Sequence, residues 1–94
     1  AVVIASTGRP ESLAAALHHY SSQTYAPSRI VFSVASERDL PDSPEFNHRA
    51  ECLIGRKGLP TQRNTALRHI GEAADIIAFF DDDYIPSRGF IAQI

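Results

Sequence analysis

Ile76-Ile77-Ala78-Phe79-Phe80-Asp81-Asp82-Asp83 decides the fold, because an unbroken apolar run ends abruptly on adjacent carboxylates. A short apolar run closed by polar residues suits a strand covered on both faces, as in parallel sheets. Ala1-Val2-Val3-Ile4-Ala5 repeats the pattern and stops at Ser6-Thr7-Gly8. Arg29 to Ala35, with Ile30, Val31, Phe32 and Val34, reads as another strand, and Glu51 to Ile54 as a weaker one ended by Gly55 and Gly58. Helical patterns lie between them. Gly8-Arg9-Pro10 opens a helix whose apolar face is Leu13, Ala16, Leu17 and Tyr20, with Glu11 favoured in its first turn. Residues 23 to 28, with Pro27, break it. A second helix starts near Pro60-Thr61 and runs to about Ala74, with Leu67, Ile70 and Ala74 as its stripe. Residues 36 to 50 are polar, carry Pro41 and Pro44, and read as a long mobile loop of the kind that is often functional. The order β-α-β-loop-β-α-β predicts an α/β fold: Rossmann-like, three-layer α/β/α, with a mostly parallel sheet and right-handed crossovers.

The 94 residues are 44% apolar and 21% charged, with nine Lys and Arg against eleven Asp and Glu. This is one small domain over residues 1–94, which buries roughly 60–65% of its unfolded surface. A formal charge of −2 leaves no basic excess for nucleic acid, and no apolar run is long enough to cross a bilayer. Cys52 is the single cysteine, which excludes an internal disulfide and suits a reducing, cytoplasmic setting, where the inner face of a membrane is open to a parent protein. No signal peptide is visible. The chain lacks methionine, starts inside a strand and ends at Gly89 to Ile94 in what reads as a helix cut short, so a piece of a longer protein is expected.

Ligands of open parallel sheets bind outside the carboxyl ends of the strands. Those ends carry Ser6, Thr7, Gly8 and Arg9; Ser36, Glu37, Arg38 and Asp39; Gly55, Arg56, Lys57 and Gly58; and Asp81, Asp82 and Asp83. Acidic and basic groups sharing one edge suit a divalent cation beside a phosphate-bearing ligand. Side chains alternate along a strand, so Asp81 and Asp83 share a side and Asp82 takes the other. Asp81 and Asp83 can approach one Mg²⁺ or Mn²⁺ while Asp82 reaches a hydroxyl; Mg²⁺ needs only one or two carboxylates beside substrate phosphates. The alternative is an acidic cap on a helix starting near Pro86-Ser87. Arg63, in line with Leu67, Ile70 and Ala74, lies on the buried face of the second helix and looks towards the strand ends; a snorkelling arginine is the alternative. Neighbouring Asn64 could cap or pin a loop.

Gly55-Arg56-Lys57-Gly58 could cradle phosphate, but it lacks the Gly-Lys-Ser/Thr ending of a P-loop and also fits a solvated turn. His18, His19, His48 and His69 have no zinc-binding spacing, Cys52 reads as a small core residue, and Ser6 lacks a Gly-x-Ser-x-Gly context.

Four segments then carry a family resemblance: Val2 to Leu13, Ser22-Gln23-Thr24-Tyr25, Lys57 to Leu67 (Lys-Gly-Leu-Pro-Thr-Gln-Arg-Asn-Thr-Ala-Leu), and Ile77 to Pro86 with its Asp81-Asp82-Asp83. In this order they resemble the opening half of family 2 glycosyltransferases of the GT-A fold, over most of the chain except residues 36–50. The resemblance implies transfer of a sugar, with inversion, from a UDP- or GDP-linked donor in the presence of Mg²⁺ or Mn²⁺. It implies that Asp83, with Asp81, binds the metal, and that Asp81 or Asp82 contacts the ribose and the metal's water shell. Ser6, Thr7 and Arg9 would line the base and ribose, and Arg63 would brace the acidic motif or approach the diphosphate. The family's acidic pair after its second strand is replaced by Val34-Ala35-Ser36, with Glu37 and Asp39 nearby, which leaves uridine against guanosine open. The catalytic base is expected beyond Ile94, so the chain alone is expected to bind weakly and transfer nothing.

Two other classes compete. A non-catalytic nucleotide-binding module of the same fold would differ only in the residues beyond Ile94. A phosphatase or nucleotidyltransferase would want a carboxylate or a Gly-rich basic loop after the first strand, where Ser6-Thr7-Gly8-Arg9 stands.

Overall fold

The computed structural model describes residues 1–24, 27–42, 46, 50–72, 76–82, 84 and 86–93. Four strands, β1 (Val2–Ala5), β2 (Ile30–Val34), β3 (Glu51–Ile54) and β4 (Ala78–Phe80), form one sheet in the order β3-β2-β1-β4. Every pairing is parallel, with Val3 opposite Val31 and Phe79, and Phe32 opposite Cys52. Helix α1 (Pro10–Ser21) follows β1 and helix α2 (Leu59–Ile70) follows β3. The two helices cover opposite faces. Leu13, Ala16, Leu17 and Tyr20 of α1 pack with Val2, Ile4, Ile30, Phe32 and Val34. Ala66 and Ile70 of α2 pack with Val3 and Val31, which alternate with those residues along the strands. The expected Rossmann-like three-layer architecture is therefore present, with β1 and β2 wholly buried at its centre.

Several expectations are corrected. The buried face of α2 is Gln62, Ala66 and Ile70, one residue round from the apolar stripe that includes Leu67, which is 39% exposed. The helix also ends at Ile70 rather than near Ala74, itself outside the described residues. Gly71 follows with φ +58°, a left-handed conformation that suits glycine, and its N–H caps the Leu67 carbonyl. The apolar run 76–80 is not a deeply buried strand. β4 lies at the sheet edge while α2 packs chiefly on β2 and β1, so Phe79 is 36% exposed and the preceding Ile76 61%. A helix near Pro86-Ser87 does not form among the described residues; the segment ends in a 3-10 turn, Ile91–Gln93. Tertiary partners take its backbone groups: Gln23 Nε2 donates to the Ser87 carbonyl, Thr24 to that of Arg88, and Ile91 N–H donates to Gln23 Oε1. The polar stretch after β2 is anchored at two points. A 3-10 turn, Glu37–Asp39, opens it, and Phe46 is buried with its ring 4.8 Å from Phe32.

At the amino edge of the sheet, Arg29 donates through Nε (2.7 Å) and Nη2 (2.5 Å) to Glu51, and His69 Nε2 lies 3.0 Å from the same carboxylate. The Arg29 hydrogen bonds, aided by His69 and opposed by burial, hold the Glu51 carboxyl down at about 2. A depressed folded-state value gives stability that is present above the ordinary range near 4.5 and is lost as pH falls from there towards 2. Glu51→Gln is therefore expected to flatten that part of the acid limb, read as the urea midpoint between pH 5 and 2. An unchanged limb would show that Glu51 adds nothing to it.

Candidate functional site at the carboxyl edge

The β1–α1 loop, the ends of β2 and β4, and the first turn of α2 meet at the carboxyl edge of the sheet. Ser6 continues β1 and is 1% exposed; its N–H donates to the Ser33 carbonyl at 3.1 Å. Its hydroxyl donates to Asp82 Oδ2 at 2.6 Å, while Arg9 Nη1 lies 3.3 Å from Asp82 Oδ1. Both oxygens of Asp82 are thus held by the loop after β1, and the carboxylate ties β4 to β1. The hydroxyl that Asp82 meets here is the chain's own, that of Ser6.

Asp81 turns the other way. Its Oδ1 lies 3.6 Å from Arg63 Nη2, and its side chain is 72% exposed. Arg63 is expected along the buried face of the helix, but its side chain is 43% exposed, because Gln62 occupies the inward position. The guanidinium nevertheless reaches the strand end. An ion pair this open adds little stability, so both groups are available to a ligand. Thr7 is half-buried in the loop, and Arg56 and Lys57 are exposed. Asp83 and His48 lie outside the described residues.

Two residues organise this edge: Gln62, which sequence reasoning gave no role, and Asp39, which it placed only near the position of the family's base-reading pair. Gln62, 1% exposed, donates through Nε2 to the carbonyls of Ser6 (2.9 Å) and Ser33 (2.8 Å), and its Oε1 accepts from Gly58 N–H at 3.1 Å. Asp39, 6% exposed, accepts from Gly8 N–H at 2.6 Å, Ala35 N–H at 3.1 Å and Ser36 N–H at 3.0 Å. Gly8 turns with φ +68°, which points its N–H at this carboxylate without the strain a side chain would bring. Each residue had a signal. Gln62 is spaced i, i+4, i+8 with Ala66 and Ile70, and Ser36-x-x-Asp39 has capping-box spacing, which the structure realises in the 3-10 turn.

Of the two acidic residues that follow β2, Glu37 and Asp39, it is Asp39 that is turned inward, its oxygens occupied by backbone donors. Among the described residues, no three His, Cys, Asp or Glu side chains gather to hold a metal ion. No described helix is long and apolar enough to cross a membrane. Comparisons with protein-family models, curated proteins and solved structures return no match.

Proposed function

We propose that the chain binds a nucleoside-diphosphate sugar at this edge, as the donor-binding part of a metal-dependent, inverting glycosyltransferase. One observation carries the reading. Segments far apart in sequence, each part of the family resemblance, engage one another directly here: Ser6 and Arg9 on Asp82, and Arg63 beside Asp81. Hydroxyl and guanidinium donors next to an open carboxylate suit a ligand that combines a polyol with a diphosphate.

In this reading Ser6, Thr7 and Arg9 line the nucleoside, Asp82 keeps their loop in register with β4, and Arg63 faces the diphosphate. Asp81, with Asp83, is the pair that would hold Mg²⁺ or Mn²⁺; an exposed carboxylate beside a phosphate-bearing ligand fits a hard cation that needs one or two protein oxygens. When bound, the cation offsets negative charge on the departing diphosphate. Asp39, saturated by backbone donors, holds the loop and leaves the base to other groups.

Calorimetric titration with UDP and GDP, each with Mn²⁺ and again with EDTA, tests the proposal. Metal-dependent binding of one nucleotide is expected, lost in Asp83→Ala and weakened about tenfold in Arg63→Ala, the worth of one charge-assisted contact. A folded chain that binds neither nucleotide would overturn the reading.

A further inference from the structure

Four aromatic rings connect the core to the carboxyl edge beside the acidic residues. Tyr20 is fully buried, and its ring lies 5.1 Å from that of Phe80, the last residue of β4. A turn then folds the chain back, with Tyr84 N–H donating to the Asp81 carbonyl at 3.3 Å. The turn stacks Tyr84 on Phe80, with ring centroids 5.7 Å apart and planes 7° from parallel. Phe90 braces both rings at steep angles, 72° to Phe80 and 66° to Tyr84. The outermost ring, Tyr84, is 41% exposed. It is an aromatic surface held rigid by its neighbours, and a bound ring would lose little side-chain freedom in meeting it.

The groups around it restrict what it would hold. Asp81, whose side chain is open to solvent, is acceptor-only while ionised and so favours a ligand rich in hydroxyl donors, whereas both oxygens of Asp82 are already held by Ser6 and Arg9. One apolar ring face with hydroxyls round its rim is the shape of a hexopyranose, whose slightly positive C–H groups are drawn to the negative face of an aromatic ring.

We infer that Tyr84, supported by Phe80 and Phe90 and flanked by Asp81 and Asp82, is a stacking platform for a hexopyranose ring. The inference rests on the proposed function for its choice of a sugar, which belongs either to the donor or to the acceptor.

The test uses methyl glycosides of glucose, galactose, mannose and N-acetylglucosamine, observed by saturation-transfer NMR on the whole chain. Tyrosine fluorescence gives a second readout, since the chain has three Tyr and no Trp. At least one glycoside is expected to bind through the C–H groups of a single ring face. Tyr84→Leu keeps the cover over Phe80 but removes the π face, and should weaken binding roughly five- to tenfold. Tyr84→Phe should restore it. Displacement by the nucleotide sugar but not by the bare nucleotide assigns the platform to the donor sugar; binding that survives saturation with nucleotide sugar assigns it to the acceptor. Absence of binding by every glycoside, or equal binding by the leucine variant, overturns the inference, as does a Tyr84 response to bare nucleotide alone, which would mark a base-stacking site. The sugar arm is independent of the nucleotide titrations, so the two proposals fail separately.

Discussion

Gln62→Leu is expected to destabilise the domain by about 2–4 kcal/mol, although leucine matches glutamine in bulk and favours a buried site. The side chain is 1% exposed and ties together the end of β1, strand β2 and the start of its own helix. The Ser33 carbonyl keeps a bond from Ser6 N–H when Gln62 is lost, so the main losses fall on the Ser6 carbonyl and Gly58 N–H. Each unmet buried backbone group costs roughly 1–3 kcal/mol, offset in part by the apolar side chain. At about 4–8 °C per kcal/mol for a domain of this size, the melting temperature should fall by roughly 8–30 °C. Gln62→Glu provides a sharper comparison, since an ionised carboxylate offers no donor and faces two carbonyl oxygens. It should be less stable than the leucine variant at pH 7 and recover part of the loss in acid, where a protonated carboxyl can donate one bond. Urea denaturation of both variants measures this. A leucine variant within 0.5 kcal/mol of the parent chain would mean that those backbone groups find other partners, and that Gln62 does not hold the edge together.

The architecture is legible because its central elements obey simple rules. Val2–Ala5 is a continuous apolar run and Ile30–Val34 one broken only by Ser33; they become the two inner strands, and the face formed by Leu13, Ala16, Leu17 and Tyr20 becomes the buried face of α1. The same rule misleads at 76–80. An apolar run states that a strand is there, but not whether it is central, and two helices over four strands leave β4 partly uncovered. The α2 stripe misleads for a related reason. A search for apolar residues passes over Gln62 and selects Leu67, whereas the buried face includes a glutamine because the backbone beneath it has unmet polar groups. The candidate site is legible as a set of residues sharing one edge, and Ser6, Arg9, Arg63, Asp81 and Asp82 do share it. How they pair is not legible. Asp82 could as well have faced solvent, and only the depth of Ser6 at the end of a buried strand gives that carboxylate a partner within the chain.

Asp39→Ala is expected to cost about 3–4 kcal/mol, a large share of the 5–15 kcal/mol that holds a typical domain folded. Its carboxylate accepts from three backbone donors, Gly8, Ala35 and Ser36, at distances of 2.6 to 3.1 Å, and only 6% of the residue is exposed. Hydrogen bonds to a charged group are worth roughly 1.5–3 kcal/mol each, and the sum falls short of additivity because the donors share one acceptor group. Asp39→Asn keeps one acceptor oxygen and should lie about midway. The loss should also be local before it is global. Gly8 is the point where the β1–α1 loop is fastened to the end of β2, so in the alanine variant its amide should exchange faster than those of β1, under conditions where the core remains protected. Arg9 follows Gly8 directly and reaches Asp82 at 3.3 Å, so a loosened loop should weaken nucleotide binding beyond what the fall in stability alone predicts. Native-state hydrogen exchange on the parent, asparagine and alanine chains, compared at equal margins below their melting temperatures, separates the two effects. Uniform acceleration across β1, β2 and the loop would make Asp39 a contributor to global stability alone. Acceleration confined to residues 7–9 would make it the residue that holds the loop in place for the ligand.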